Sequence, residues 1–291
     1  MPSRTFRPRS PLNLRLTLAP LCRGRGDPTV RLAADGVWRA TRTPDGPATL
    51  HLALRGDRVH AEAWGAGARW ALDTAPALVG EDDDAAGFEP HHGAVADAVH
   101  RFPGLRMCRS GRVMEALVPT ILEQKVIGKE ARRSYAALVR ALGEPAPGPV
   151  AALRLPPAPE RIAHTPSWAF HRWGVERKRA DTVRRACAVA HRLEAAPEKL
   201  ELVSGIGPWT AAEVRRTALG DADAVSVGDF HLPNLVSWAL AGEPRGDDAR
   251  MLELLAPYAG HRGRVQRLLE AGGPHAPRFG PRLPLQRIAR L

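Results

Sequence analysis

The sequence predicts an α+β protein, in which an N-terminal antiparallel β-sheet domain precedes a two-part, all-α helical body. Three observations support this prediction. Apolar and polar residues alternate over residues 11–65, apolar residues recur about every 3.6 positions in the second part, and the acidic run 81–84 lies between them. We therefore expect a sheet domain at 1–85, a helical domain at 95–270 and a basic Pro/Arg-rich tail at 271–291.

The alternating segment contains its own turn signals. Leucine occupies every second position from 12 to 18 and again from 50 to 54. Asp-Gly or Gly-Asp pairs stand at 35–36, 45–46 and 56–57, and such pairs favour tight turns between strands. This pattern predicts an antiparallel sheet with one packed face and one solvated face.

The helical pattern follows the acidic run. Apolar residues at helical spacing predict helix over 113–142, ending at Gly143, and the proline-rich segment 145–159 predicts a surface loop. Further periodic segments predict helices at 180–193, 198–202, 208–219, 232–240, 249–255 and 262–269.

The composition favours a polyanionic partner. The chain has 291 residues, with 42 Lys and Arg against 31 Asp and Glu, a formal net charge of +11 and a pI near 10.7. A basic balance of this kind favours binding to nucleic acid. It is also typical of Arg-rich proteins from GC-rich genomes, so the charge does not by itself establish DNA binding.

The remaining composition excludes several classes of protein. Cys22, Cys108 and Cys187 are far apart, which argues against a disulfide framework and against the four-cysteine ligand set of an iron–sulfur cluster. His91-His92 has no third ligand at metal spacing. No apolar segment resembles a signal peptide or is long enough to span a bilayer. We expect a cytoplasmic monomer, nucleoid-associated if bacterial, without a membrane partner.

Residues 202–211, Leu-Val-Ser-Gly-Ile-Gly-Pro-Trp-Thr-Ala, predict a helix end, a tight hairpin and a new helix. Glycine permits the turn, and proline is tolerated in the first turn of a helix. The free backbone N–H groups at the start of that helix form an anion site, reinforced by its dipole. The predicted DNA-backbone hairpin comprises Ser204, Gly205, Ile206, Gly207, Pro208 and Thr210.

Asp229 follows the second hairpin glycine, Gly207, by 22 residues (229 − 207), enough for one helix and a return turn. A carboxylate placed beside a phosphate anchor indicates chemistry on nucleic acid. The alternative is an ordinary helix N-cap before the apolar residues that follow. With the hairpin present, the sequence favours catalysis by Asp229.

Together these segments resemble the helix-hairpin-helix DNA glycosylase superfamily, and within it the branch typified by 3-methyladenine DNA glycosylase II. Residues 102–106, 114–126 and 173–180 are also similar to that family, whose corresponding helix ends in Ile-Leu-x-Gln. The resemblance covers about residues 95–270. It implies a partner, double-stranded DNA containing damaged bases, and a damaged nucleotide rotated out of the duplex into a pocket.

The resemblance also implies roles for single residues. Trp209 stands where the lyase branch carries a nucleophilic lysine, which predicts a monofunctional hydrolase without lyase activity. Trp209, Glu213 and Trp173 are the predicted base-pocket residues. Both tryptophans have a core-packing alternative. Glu213 replaces the tyrosine usual in that branch and could recognise a donor on the base or complement its positive charge.

Gln124 and Lys125 occupy the position of the family's gap-filling wedge, although an exposed helix end or a phosphate contact by Lys125 are alternatives. The hairpin carbonyls could hold a monovalent cation, as the resemblance implies, and no other cofactor is expected. The sequence thus predicts excision of alkylated purines of the 3-methyladenine or 7-methylguanine type in base excision repair. The alternatives are a glycosylase for deaminated or oxidised bases and a non-catalytic DNA-binding protein.

Overall fold

The computed structural model describes residues 2–274 and 276–277. Its N-terminal part is a five-stranded antiparallel sheet with the order β1-β5-β4-β3-β2. The strands are β1 (Ser3–Phe6), β2 (Val30–Ala33), β3 (Gly36–Thr43), β4 (Gly46–Arg55) and β5 (Arg58–Trp64). The three predicted turn pairs connect β2 to β3, β3 to β4 and β4 to β5. Most of the predicted basic tail lies outside the described residues.

The leucines at 12–18 do not form a strand, as the alternation predicted. They form the short helix α1 (Leu14–Leu18), which begins where the Asn13 side chain accepts a hydrogen bond from the Leu16 N–H at 3.1 Å. Leu14 and Leu18, one helical turn apart, are buried. An N-cap and one buried helical face therefore outweigh the period-two pattern. The strand that completes the sheet edge is β1, which pairs with β5.

The two faces of the sheet differ. One face buries apolar side chains of β3, β4 and β5 against α1, α2 (Ala68–Asp73) and α3 (Ala75–Leu78). On the other face, Trp38 stacks on His51 and Trp64, with ring centroids 4.0 and 5.5 Å apart. The prediction of one packed apolar face is correct, and the second face is aromatic as well as polar.

The helical body contains ten α-helices among the described residues. They are α4 (Gly93–Arg101), α5 (Val113–Glu123), α6 (Gly128–Leu142), α7 (Pro159–His164), α8 (Arg177–Ala188), α9 (Ala190–Ala195), α10 (Pro208–Val214), α11 (Leu232–Ala241), α12 (Asp248–Leu255) and α13 (Arg262–Gly272). A π-helical turn, Arg215–Leu219, extends α10, and 3-10 turns cover Ser167–Trp173 and Pro197–Leu202. No helix of the described residues is both long and apolar enough to cross a bilayer.

The body has two separate apolar cores. One core includes buried residues of α5, α6, α8 and α10, such as Leu117, Leu138 and Val183. The other includes residues of α4, α11, α12 and α13, such as Val236 and Met251. The chain passes from the first half to the second after α10, and Asp229 lies just before α11. The hairpin before α10 and Asp229 therefore flank the passage of the chain from one half to the other.

The acidic run 81–84 is more than a solvated linker, because Glu81 and Asp83 form nearly buried ion pairs, whereas Asp82 and Asp84 are exposed. Glu81 pairs with Arg106, and both side chains are nearly buried. Asp83 accepts a hydrogen bond from Arg264 at 2.6 Å, with side chains 3% and 5% exposed. The arginine partners come from the segment before α5 and from α13, so these pairs fasten the sheet domain to the helical body.

Candidate active site

The hairpin at residues 203–207 is a compact turn between a 3-10 turn and α10. The Ile206 N–H donates to the Val203 carbonyl at 2.9 Å. Gly205 has φ +96°, and a Cβ on it would lie 2.3 Å from the Thr182 Oγ1 of α8. Glycine is therefore required at 205 by both the backbone conformation and the contact with α8.

Gly207 is not required by the fold in the same way. Its φ of −111° and ψ of −176° are extended values that any residue adopts, and a Cβ there would meet no atom within 4 Å. Gly207 is the N-cap of α10, and no side chain caps that helix end. The first-turn N–H groups of a helix have no intrahelical acceptor. The open space before Gly207 can therefore admit an anion close to the backbone.

Two side chains brace the hairpin from outside it. Gln124 Nε2 donates to the Gly205 carbonyl at 2.9 Å and lies 2.8 Å from Thr210 Oγ1. Arg185 donates from Nε and Nη2 to the Ser204 carbonyl, at 3.2 and 3.1 Å. The Ser204 carbonyl accepts both of its hydrogen bonds from a cationic guanidinium, whereas the Gly205 carbonyl accepts one and retains a lone pair. Among the described residues, no group of three or more His, Cys, Asp or Glu could hold a metal ion.

The two predicted wedge residues behave differently. The amide of Gln124 is turned toward the hairpin, which corrects the prediction that Gln124 is a wedge, because its donor is already used. Lys125 is exposed and has φ 54°, the one positive φ among the described residues other than glycine. A left-handed backbone at a non-glycine residue is uncommon and strained. Lys125 therefore remains a candidate for the wedge.

Asp229 and Trp209 are in direct contact across the two halves of the helical body. Trp209 Nε1 donates to Asp229 Oδ2 at 3.0 Å. Asp229 Oδ1 accepts from the backbone N–H groups of His231 and Leu232, at 2.7 and 2.8 Å. The carboxylate thus caps the start of α11 with one oxygen and binds the tryptophan with the other. Both side chains are half-buried, so solvent reaches the pair.

Glu213, one helical turn after Trp209, is not a free carboxylate. Its Oε1 accepts from Arg216 and from Ser226, and Arg216 also pairs with Glu270 at 3.3 Å. Burial by itself would raise the pKa of Glu213, but Arg216 and these hydrogen bonds hold the pKa below its usual value. This corrects the prediction that Glu213 complements a positive base, because the carboxylate is engaged by Arg216 and Ser226 within the protein.

Trp173 is also placed differently from the pocket prediction. It is 7% exposed within the apolar core of the first half, edge-on to Phe170 at 5.2 Å between ring centroids. The Arg172 guanidinium lies 5.0 Å from its ring centroid. These contacts assign Trp173 to core packing, the alternative that its position in an apolar segment left open.

Two exposed apolar side chains near the site were missed. Leu202, just before the hairpin, is 81% exposed, and Phe230, directly after Asp229, is 80% exposed. From the sequence, Phe230 is an apolar residue at the start of a helix, and such residues are usually buried. Its exposure beside Asp229 could not be read from the pattern. The adjacency to the candidate catalytic residue was the one available signal.

Comparison with known proteins shows the fold. No protein-family model and no curated protein sequence matches the chain. A 3-methyladenine DNA glycosylase structure from Archaeoglobus fulgidus is similar over 92% of this chain and 97% of its own, with a TM-score of 0.72 and 17% identity. A Clostridium acetobutylicum 8-oxoguanine glycosylase/lyase bound to double-stranded DNA is similar over 92% of this chain and 93% of its own, with a TM-score of 0.71 and 13% identity.

A third solved structure covers less of the chain. The 3-methyladenine DNA glycosylase of Schizosaccharomyces pombe, in complex with abasic DNA, is similar over 63% of this chain and 92% of its own, with a TM-score of 0.50 and 16% identity. At these identities the comparisons establish the fold. The N-terminal sheet and two-part helical body of this chain are thus an architecture shared with solved DNA glycosylases.

Proposed function

We propose that this protein is a monofunctional DNA N-glycosylase that removes damaged bases from double-stranded DNA in base excision repair. The observation that carries the proposal is the contact between Trp209 and Asp229, at the junction of the two helical halves. It is supported by the uncapped N-terminus of α10 at Gly207 and by the fold shared with solved glycosylases. The net charge of +11 suits a DNA partner.

The geometry suggests how the residues divide the work. The hairpin N–H groups bind a backbone phosphate, and the damaged nucleotide rotates out of the duplex toward Asp229. As the N-glycosidic bond breaks, positive charge develops on the sugar, and the Asp229 carboxylate stabilises it electrostatically. The same carboxylate orients or deprotonates the water that attacks C1′. The bonds to Trp209, His231 and Leu232 hold the carboxylate in place during this step.

Hydrolysis without a lyase step follows from the residue at position 209. An indole cannot form a Schiff base, and no lysine lies between Gly205 and Asp229. We expect that borohydride will not trap the protein covalently on a lesion-containing or abasic duplex. Covalent trapping of the wild-type protein on either duplex would contradict this part of the proposal.

The proposed substrates are cationic alkylpurines. The half-buried face of Trp209 can stack on a base and attract a positive charge. A second candidate, an oxidised or deaminated base, is favoured because Glu213 is engaged by Arg216 and Ser226 and is not free to pair with a cationic base. Chromatography of free bases released from methylated, 8-oxoguanine, hypoxanthine and uracil duplexes separates these candidates.

Asp229→Asn tests the catalytic assignment. The asparagine side-chain oxygen can still accept from His231 and Leu232, so the start of α11 is retained, while the negative charge and the acceptor for Trp209 Nε1 are lost. We expect single-turnover base release to fall by about 10²–10³-fold, as for loss of one preorganised electrostatic group, with duplex affinity retained. Full activity of this variant would refute the assignment. Absence of base release by the wild type on every duplex would favour a non-catalytic DNA-binding protein.

A further inference from the structure

We infer that Gln124 is a positioning residue that couples the DNA-backbone hairpin to Lys125. A phosphate held on the hairpin would thereby set how deeply Lys125 enters the duplex. This inference rests on the proposed function, because it gives Lys125 the gap left by a rotated nucleotide. It assigns Gln124 no contact with DNA.

The first step is the pair of contacts made by one amide nitrogen. Gln124 Nε2 lies 2.9 Å from the Gly205 carbonyl oxygen and 2.8 Å from Thr210 Oγ1. A carbonyl oxygen can only accept, so the nitrogen end of the amide must face the hairpin. Its two protons suffice for both contacts. Gln124 directly precedes Lys125. Its amide therefore joins the hairpin turn and the first turn of α10 to the backbone next to Lys125.

The second step concerns the end of α5. The buried Arg179 of α8 donates from Nη1 to the Leu122 carbonyl at 2.7 Å, which fixes the last turn of α5 from its inner side. Gln124 then fixes the residue beyond the helix. Lys125 follows with a left-handed backbone and an exposed side chain. The backbone that leads into Lys125 is therefore held by Arg179 and by Gln124, while the Lys125 side chain is exposed to solvent.

The third step concerns the hairpin itself. Gly205 packs against Thr182, and Arg185 binds the Ser204 carbonyl, and both partners lie on α8. The hairpin and the end of α5 therefore rest on the same helix. Gln124 closes this arrangement by bridging the two directly, so displacement of one requires displacement of the other.

The test compares two duplexes that differ only at one nucleotide. One contains a tetrahydrofuran abasic analogue, whose gap a wedge can fill, and the other is undamaged. Dissociation constants are measured by fluorescence anisotropy at one salt concentration for wild type, Gln124→Met, Lys125→Ala and the double variant. Methionine has a similar length and no donor. Lys129→Ala, an exposed lysine one turn further on, controls for the loss of one positive charge.

We expect Gln124→Met to reduce the preference for the abasic duplex about tenfold, with the affinity for the undamaged duplex unchanged. In the Lys125→Ala background the same substitution should cause no further loss, because it acts through Lys125. Lys129→Ala should keep the wild-type preference. The inference is wrong if Gln124→Met weakens binding to both duplexes equally. It is also wrong if Gln124→Met reduces the preference by the same factor in the Lys125→Ala background, because Gln124 would then support the hairpin alone.

Folding failure and failure of the proposed function are both distinguishable. If Gln124→Met does not fold, Thr210→Val removes one of the two contacts with a side chain of the same shape, and an unchanged preference would then overturn the inference. A wild type without preference for the abasic duplex would overturn it as well. Because the readout is binding to a product analogue, absence of base release would refute the glycosylase proposal without altering this result.

Discussion

Gly207→Ala is the substitution that best separates ligand binding from folding at the hairpin. The added Cβ would meet no atom within 4 Å, and the backbone at 207 is extended. Replacing glycine stabilises the folded chain by about 0.4–1 kcal/mol through the unfolded state. Alanine is the poorer N-cap, which offsets about 0.5 kcal/mol of that gain. We therefore expect a free energy of unfolding within about 1 kcal/mol of wild type, with Tm moving less than about 4 °C.

Gly205→Ala is the matched control two residues away. Its φ of +96° is strained for alanine, and the Cβ would lie 2.3 Å from Thr182 Oγ1. A left-handed conformation costs roughly 1–2 kcal/mol, and overpacking costs roughly 1–3 kcal/mol. The expected destabilisation is therefore roughly 2–5 kcal/mol, which lowers Tm by at least about 4 °C. Differential scanning fluorimetry compares the two variants directly.

Although Gly207→Ala should barely change stability, it should weaken DNA binding strongly. A methyl group in the open space before α10 would displace a phosphate whose charge-assisted hydrogen bonds are each worth about 1.5–3 kcal/mol. We expect the dissociation constant for an undamaged duplex to rise at least about tenfold, and the slope of log K against log salt to shrink by about 0.9. Wild-type affinity and slope in a correctly folded Gly207→Ala variant would refute the phosphate-binding role of the hairpin.

Three further predictions concern the site and its support. Trp209→Phe should keep an aromatic face but remove the donor to Asp229, lowering single-turnover base release about tenfold without changing duplex affinity; an equal loss of affinity would contradict it. Asp83→Asn should destabilise the fold by about 3–5 kcal/mol in urea unfolding, because it leaves a buried arginine uncompensated, and a loss below about 1 kcal/mol would contradict it. Although burial would raise the pKa of Glu213, Arg216 and the hydrogen bonds hold it below its ordinary value, so stability that is present at higher pH should be lost as the pH falls through that lowered pKa. Tm measured from about pH 6 to pH 3 should fall less in Glu213→Gln than in wild type.

The sheet shows what local sequence can and cannot predict. The Asp-Gly and Gly-Asp pairs located three strand connections, because their backbone preferences are local. The strand prediction for the leucines at 12–18 was wrong. A helix of five residues is too short for its 3.6-residue period to be distinguished from the two-residue period of a strand. The acidic run 81–84 was recognised as a boundary but not as a source of buried ion pairs, since its partner Arg264 is remote in the chain.

The candidate site divides in the same way. The hairpin conformation and the position of Asp229 were predicted from contiguous residues. The contact of Gln124 with Gly205 joins residues 81 apart, and the salt bridge of Arg216 with Glu270 joins residues 54 apart. The partner of Gln124 is remote in the sequence, so its contact could not be predicted. Arg216 lies only three residues after Glu213, and this local pair was a signal that the assignment of Glu213 to a pocket did not use. In both cases a polar side chain expected to meet DNA is satisfied within the protein.

The helix cap and the proposed catalysis at Asp229 use different oxygens and do not exclude each other. Two backbone donors on Oδ1 and the Trp209 indole on Oδ2 fix the carboxylate at three points, so it does not have to reorient as charge develops on the sugar. Asp229→Ala removes both functions, whereas Asp229→Asn keeps the cap but removes the charge and, because its side-chain NH2 cannot accept, the bond from Trp209 Nε1. If capping were the sole function, alanine would cost about 1 kcal/mol of stability and asparagine would leave base release unchanged. Loss of base release in both variants, with loss of stability in alanine alone, would assign each oxygen its separate role.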